Sequence, residues 1–134
     1  MRAIDTNVVL RVIARDDPVQ SPKARAIVEA GGIFVPLTVV LEVEWVLRRS
    51  YRYAPGDVAL ALRAFASLPG VTMEHPERVA FAIDHAVEGM DFADALHLAS
   101  AAGCDDFVSF DKPFVRAAAA LAGPPVLDAT QAPA

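Results

Sequence analysis

Several features that mark other protein classes are scarce or missing in this chain of 134 residues. Cys104 is its single cysteine, so no internal disulfide can form, and the chain fits the reducing environment of the cytoplasm. No segment reaches the roughly 18 consecutive apolar residues that a membrane-spanning helix needs. Asp5 and Arg11 interrupt the apolar start of the chain, which argues against a signal peptide. We therefore expect a cytoplasmic protein with no membrane association.

Positive charge is also scarce. Twelve Lys and Arg residues stand against 17 Asp and Glu residues, which gives a formal net charge of −5. A protein that coats DNA through bulk electrostatics would be basic, so this function class is excluded. A nuclease is not excluded, because clustered carboxylates make a chain acidic until a bound cation reverses the local sign.

Apolar residues, in contrast, are abundant. They make up 54% of the chain, and the mean hydropathy is +0.36. The length favours one domain with a core that needs no disulfide or metal to support it. We expect a single domain over residues 1–128, followed by a frayed tail at 129–134. The apolar surplus suggests that part of the surface faces a partner.

Short apolar segments alternate with longer segments of helical periodicity. The predicted strands are residues 2–4, 33–35, 71–74, 107–110 and 126–127. The predicted helices are residues 6–14, 21–30, 39–51, 58–68, 76–88, 92–102 and 112–121. This alternation indicates an α/β fold whose central parallel sheet of four to five short strands is covered by helices on both faces.

Two carboxylates follow predicted strands directly. Asp5 comes after the first strand, and Asp111 comes after the fourth. In parallel α/β sheets, ligands bind just beyond the carboxyl ends of the strands, so both residues are candidate ligands. Ser109 lies two residues before Asp111 and points the same way if the extended conformation continues. The alternative is that Asp5 and Asp111 are cap or turn residues; for the first helix, Thr6 is the predicted N-cap.

A third carboxylate, Glu42, falls within an apolar helical stripe. It shares the stripe with Val39 and Val43, and no basic residue follows it at helical spacing. A carboxylate on an apolar face needs a cation or a shifted pKa. The neighbouring Glu44 lies four residues before Arg48, which predicts an exposed ion pair. The alternative is that this helix is apolar nearly all round and that Glu42 is simply exposed.

Two further acids begin the sixth predicted helix. Asp91 is a good N-cap, and Asp94 in the first turn suits the helix dipole. These structural roles explain both residues individually. The functional interpretation places Asp94 near the strand ends, where it could share a metal ion with the other acids.

The quartet Asp5, Glu42, Asp94 and Asp111 has one common expected location. Four carboxylates cannot share one cleft without cations, because like charges raise one another's pKa. Oxygen ligands without Cys or His favour Mg²⁺ or Mn²⁺ over Zn²⁺. A pair of such ions suits hydrolysis of a phosphodiester bond, since one ion activates water and the other stabilises the leaving oxygen.

These acids lie in sequence runs that, as a set, resemble a PIN domain, and more closely the VapC-type toxins of bacterial toxin–antitoxin pairs. The runs are Ile4-Asp5-Thr6-Asn7, Leu41-Glu42-Val43, Asp91-Phe92-Ala93-Asp94 and Ser109-Phe110-Asp111. The resemblance covers nearly the whole chain. It implies a three-layer α/β/α fold and a metal-dependent endoribonuclease that uses Mg²⁺ or Mn²⁺.

The resemblance also assigns roles to residues and partners. The quartet Asp5, Glu42, Asp94 and Asp111 would be both the catalytic set and the metal ligands. Four neighbours would orient these acids: Asn7, Ser109, Asp91 and Thr6. The implied partners are RNA, a second copy in a homodimer, and a small antitoxin whose C-terminal segment can plug the site. The apolar residues around Leu41, Trp45 and the following helix would then face a partner.

Basic residues near the expected site are candidate contacts for RNA phosphates. Lys112 and Arg116 follow Asp111 at the expected mouth of the site, and Arg11 lies on the first helix. The alternative for each of them is a solvated surface charge.

Three other readings compete with a ribonuclease. Haloacid-dehalogenase-type phosphatases also have an aspartate after the first strand, but they have a second one two residues later, where this chain has Asn7. A non-catalytic binding module on the same fold should have lost acids from the quartet, and none is missing. A structural α/β domain, in which the acids serve only as caps, leaves Glu42 unexplained.

Overall fold

A computed structural model describes all residues of the chain, 1–134, with seven helices and five short strands. The helices are α1 (Thr6–Ala14), α2 (Gln20–Glu29), α3 (Leu37–Arg49), α4 (Pro55–Ala66), α5 (Pro76–Val87), α6 (Phe92–Ser100) and α7 (Lys112–Ala118). The strands are β1 (Arg2–Ala3), β2 (Ile33–Val35), β3 (Val71–Met73), β4 (Phe107–Ser109) and β5 (Val126–Asp128). None of the helices is long and apolar enough to cross a membrane.

The predicted α/β class is confirmed, but the predicted size of the central sheet is wrong. The strands form a three-stranded parallel sheet in the order β1-β2-β3 and a separate parallel pair, β4-β5. β1 contains only Arg2 and Ala3, and its ladder pairs with β2 alone. The structure therefore has no single sheet of four or five strands.

The strands of each sheet run parallel, so their carboxyl ends meet at one edge. In the larger sheet Ile33 lies opposite both Arg2 and Val71. The opposite edge is closed by glycines: Gly70 has a φ of +77°, and a Cβ atom there would lie 2.7 Å from the Cα atom of Gly31. Only glycine fits that approach. The tight packing lies at the amino edge, which leaves the carboxyl edge to the polar residues.

The main hydrophobic core surrounds β2 and α3. Ile33 and Val35 of β2 are fully buried with Val40, Val43 and Leu47 of α3. A smaller cluster of Leu98, Phe114 and Ala118 packs under the β4-β5 pair. Buried residues from both sheets thus hold the helices that carry the candidate acids.

One predicted N-cap and one predicted helix start are wrong. The N-cap of α1 is Asp5, not Thr6: Asp5 is extended, and its Oδ1 accepts a hydrogen bond from the amide of Val8 at 3.2 Å. α4 begins at Pro55, earlier than the predicted start at residue 58. Proline suits the first turn of a helix because its missing N–H would have no partner there.

Candidate active site

Asp5 and Asp111 occupy equivalent places in the two sheets. Asp5 follows β1, and Asp111 follows β4. Each caps the next helix with its Oδ1, which accepts an amide hydrogen bond at 3.2 Å from Val8 and from Phe114, respectively. These bonds fix the direction of each carboxyl group and leave each Oδ2 free for another ligand. The cap role and the ligand role are therefore compatible.

Ser109 lies beside Asp111, as the strand periodicity predicts. Its Oγ accepts a hydrogen bond from the amide of Asp111 at 3.0 Å. The carbonyl oxygen of Ser109 accepts another from the amide of Ala129 at 2.8 Å, which extends the β4-β5 pairing into the first residue of the predicted tail. The backbone that carries Asp111 is thus held from two sides.

The predicted burial of Glu42 on α3 is wrong. The buried face of α3 consists of Val40, Val43, Glu44 and Leu47, and Glu42 is exposed. α3 is apolar on most of its surface, so the sequence pattern allowed more than one orientation, and packing against the core selected this one. Exposure at the carboxyl edge makes the Glu42 carboxylate accessible to a ligand without a desolvation penalty.

The side chain of Thr6 connects Glu42 to the first strand. Its hydroxyl group donates a hydrogen bond to Oε1 of Glu42 across 36 positions in sequence. Thr6 is buried as the first residue of α1 and directly follows Asp5. The bond therefore links Glu42 of α3 to the residue that directly follows Asp5.

The third group of acids lies at the start of α6. Asp91 caps this helix by accepting a hydrogen bond from the amide of Asp94 at 3.0 Å. Partial burial raises the pKa of Asp94, the negative charges of Asp91 and Asp111 raise it further, and His97 opposes the shift. Asp94 and Asp111 therefore interact electrostatically although they come from different elements. Since α3 packs against α6, the helices that carry Glu42 and Asp94 are neighbours.

The basic residues predicted to contact RNA differ in the contacts that they already make within the protein. Lys112 and Arg116 are exposed on α7 and form no ion pair. Arg11 donates hydrogen bonds to Oε1 of Gln20 at 2.7 Å and to the hydroxyl oxygen of Tyr51 at 3.3 Å. Lys112 and Arg116 are thus free to meet a ligand, and Arg11 is held in a local network.

The sequence profile of the PIN domain family matches residues 3–120, which include all members of the acidic quartet. The chain belongs to the PIN domain family. No curated protein matches it. PIN domains are typically nucleases that bind RNA and generally use divalent metal ions.

The carboxylate groups of this PIN domain are suitable ligands for a divalent metal ion, but they do not all surround one position. Asp5 and Glu42 are linked through Thr6, and Asp94 lies in the field of Asp91 and Asp111. No group of three or more His, Cys, Asp or Glu side chains is close enough together to hold a metal ion. The donor set consists of carboxylate oxygens, the ligands that Mg²⁺ and Mn²⁺ prefer.

Asn7, which was predicted to orient the acids, is exposed, and its side chain forms no hydrogen bond.

The sequence pattern misjudged the burial of one polar contact in this PIN domain and missed another. The predicted ion pair of Glu44 and Arg48 is confirmed, with 3.0 Å between Oε2 and Nε, but Glu44 is only 5% exposed and not a surface residue. Glu74, directly after β3, accepts a hydrogen bond from the amide of Leu37 at 2.7 Å and so caps α3. Its position after a strand, like that of Asp5, could have indicated this capping role from the sequence.

Proposed function

We propose that this PIN domain is an endoribonuclease that cleaves RNA with Mg²⁺ or Mn²⁺ and acts as the toxin of a toxin–antitoxin pair. The observation that carries the proposal is the placement of four acids within the family match. Asp5 and Asp111 follow strands, Asp94 lies in the first turn of α6, and Glu42 lies in the second turn of α3, where Thr6 holds it.

The quartet would hold the divalent ion through carboxylate oxygens. Asp94 gains most from a cation, because burial and the charges of Asp91 and Asp111 disfavour its ionised form. Thr6 keeps Glu42 in place, and Ser109 supports the turn before Asp111. When bound, the ion supplies activation of water and stabilisation of the leaving oxygen in phosphodiester hydrolysis.

The RNA backbone would approach from the side of α7. Lys112 and Arg116 form no ion pair, although Lys112 lies in the field of Asp128, so they can neutralise phosphates without breaking a direct contact. Arg11 is the weaker candidate, because contact with RNA would compete with its bonds to Gln20 and Tyr51.

Exposed apolar side chains support the proposed protein partners. Trp45 of α3 is 52% exposed and Leu60 of α4 is 69% exposed. A groove of about 490 Å³ lies between α1 and α4, and apolar residues such as Val12 and Phe65 line it. A contiguous apolar patch, unlike a single exposed residue, is typical of a surface that binds a partner. An apolar helix of a small antitoxin would fill the groove, and the α3 surface would be available to a second copy in a homodimer.

The test is cleavage of a panel of structured RNAs by the chain purified free of antitoxin. We expect cleavage with Mg²⁺ or Mn²⁺, none in EDTA, and at least about 100-fold slower cleavage by Asp5→Asn and by Asp94→Asn. Glu29→Gln is the matched control, because this exposed acid ends α2 at the amino edge of the sheet, shortly before β2.

Two outcomes would contradict the proposal. Cleavage that survives both EDTA and Asp5→Asn would exclude the metal-dependent mechanism. A folded, metal-loaded chain that cuts no RNA would favour the non-catalytic binding module. The toxin role is tested separately, by growth arrest when the chain is expressed alone and by its loss in Asp94→Asn.

A further inference from the structure

We propose that His97 of α6 is a further catalytic residue, which donates a proton to the leaving oxygen when the RNA backbone is cut. This inference rests on the proposed ribonuclease function and adds a proton donor to it. His97 follows Asp94 by three positions on the same helix. Residues at this spacing lie on the same side of a helix, with their Cβ atoms about 5–6 Å apart. The imidazole ring therefore neighbours a candidate metal ligand.

The burial pattern of α6 supports this placement. Asp94 is partly buried and His97 is exposed, so both lie on the side of the helix that the core leaves open. The side that faces the core consists of other residues: Phe92, Ala95, Leu96 and Leu98. The charges of the two side chains also interact, because His97 opposes the rise in the pKa of Asp94 that burial, Asp91 and Asp111 cause.

His97 differs from the two other histidines of the chain in having no partner. Nδ1 of His75 lies 3.5 Å from a carboxylate oxygen of Glu77, and Nδ1 of His85 lies 3.8 Å from one of Glu88. His97 forms no ion pair and no aromatic contact. Contacts within the fold therefore do not account for its ring, which is free to meet a ligand.

Hydrolysis of a phosphodiester bond needs a proton for the leaving group. The oxygen of water bonds to phosphorus, and the bond from phosphorus to the leaving ribose oxygen breaks. That oxygen keeps the bonding electrons and takes the proton of the His97 imidazolium. The ring recovers a proton from solvent, which also receives the proton that the attacking water loses. Histidine is suited to this role because it can hold and release a proton near neutral pH.

The neighbouring acids are less suited to donate this proton. A carboxylate that binds a cation has to be deprotonated. In the proposed function this condition applies to Asp94 and Asp111, so neither of them carries a proton to give. His97 has the required chemistry and is not a member of the quartet.

Replacement of the leaving oxygen by sulfur tests the inference. The products of the wild type show which ester oxygen leaves, and sulfur then replaces that oxygen at a single bond of an RNA oligonucleotide. A thiolate leaves without protonation, because a thiol is far more acidic than an alcohol. We expect His97→Gln in Mn²⁺ to lower kcat for the all-oxygen RNA at least about 100-fold, with little change in KM. The sulfur-containing RNA should be cut by His97→Gln within about threefold of the wild-type rate.

His75→Asn is the matched control. It replaces another exposed histidine, and asparagine tolerates the positive φ of 47° at this position. We expect this variant to cut both substrates at the wild-type rate. Because His97 is exposed, His97→Gln should also keep the melting temperature of the wild type.

Nuclear magnetic resonance of the histidine rings gives a readout that does not depend on cleavage. The three rings are assigned by substitution, and the protein is titrated with its purified RNA cleavage products in Mg²⁺. We expect the ring signals of His97 to shift and those of His75 and His85 to stay unchanged. A histidine without contact to the RNA would show no such shift.

Three results would overturn the inference. His97→Gln could cut the all-oxygen RNA at the wild-type rate, or it could cut both substrates equally slowly, which would make His97 an RNA contact that donates no proton. The ring signals of His97 could also stay unchanged on addition of the products. In each case RNA cleavage by the wild type would leave the ribonuclease proposal standing, whereas a wild type that cuts no RNA would remove both.

Discussion

Thr6 is the residue whose side chain connects two members of the candidate site. Thr6→Val removes the hydroxyl group that holds Glu42 but keeps the shape of the buried side chain. We expect RNA cleavage to slow about 10- to 100-fold, as for other residues that orient metal ligands, while the melting temperature changes little. Initial rates at saturating Mg²⁺ test this. Thr6→Ser should recover most of the activity; full activity in Thr6→Val would show that Glu42 needs no support.

Asp94 illustrates how a candidate site can lower stability. Burial and the charges of Asp91 and Asp111 raise its pKa above the ordinary value of 3.8. The folded state therefore binds this proton more tightly than the unfolded state, so stability falls as the pH rises above 3.8 through the pKa of the folded protein. At pH 7 without metal, Asp94→Asn should increase the free energy of unfolding by on the order of 0.5 kcal/mol.

Urea denaturation at pH 7 in EDTA measures this effect, and added Mg²⁺ should reverse it by stabilising only the wild type. A metal-free Asp94→Asn variant that is less stable than the wild type would contradict the assigned charge repulsion. NMR titration of the Asp94 carboxyl carbon in Asp91→Asn is the independent check. Its pKa should fall relative to the wild type, because one like charge has been removed.

At the scale of the element, α3 contains an ion pair within the helix whose acidic member is buried. Glu44 is almost fully buried, and its partner Arg48 is partly exposed beside a cavity of about 330 Å³. Glu44→Gln should lower the free energy of unfolding by about 1–2 kcal/mol, less than for a fully buried pair, because water screens Arg48. Urea denaturation of a double-mutant cycle with Arg48→Met measures the coupling. Additive effects of the two substitutions would show that the pair contributes no coupling energy to the stability of the fold.

The sequence predicted which elements exist better than how they are oriented. Local signals, such as the prolines and glycines at helix ends, were enough to place all seven helices near their observed positions. The local sequence did not indicate which face of α3 is buried, because a helix that is apolar nearly all round can bury several faces. Packing therefore exposed Glu42 and buried Glu44, the reverse of the prediction. The cap of α1 was ambiguous for a related reason, since Asp5 and Thr6 both have cap-forming side chains.

The division of the strands into two sheets also could not be predicted from local sequence. Strand pairing joins residues far apart in sequence, and no local pattern indicated that the five strands would divide into two sheets. The acids were easier to find, because strand ends and helix starts are local features. What the sequence could not supply was the link between them, such as the bond from Thr6 to Glu42 or the influence of Asp111 on Asp94.

At the scale of the whole molecule, the proposed function requires an acidic protein to bind a polyanion. The net charge is −5, so under this proposal attraction to RNA would depend on the local cations Lys112 and Arg116 and on a bound metal ion. Lys112→Ala and Arg116→Ala should each reduce the slope of log affinity against log salt by about 0.7–1. Salt titrations of RNA binding measure the slopes, with Lys23→Ala on α2 as the control. Unchanged slopes would place the phosphates elsewhere on the surface.

The central claim is that Asp5, Glu42, Asp94 and Asp111 act together on one cation site. Binding of Mn²⁺ to the metal-free chain, followed by electron paramagnetic resonance, tests it most directly. We expect specific binding that weakens at least about 10-fold in each of four single variants and is unchanged in Glu29→Gln. The variants are Asp5→Asn, Glu42→Gln, Asp94→Asn and Asp111→Asn. Wild-type affinity in the protein with all four substitutions would contradict the claim, because the acids would then not form a metal site.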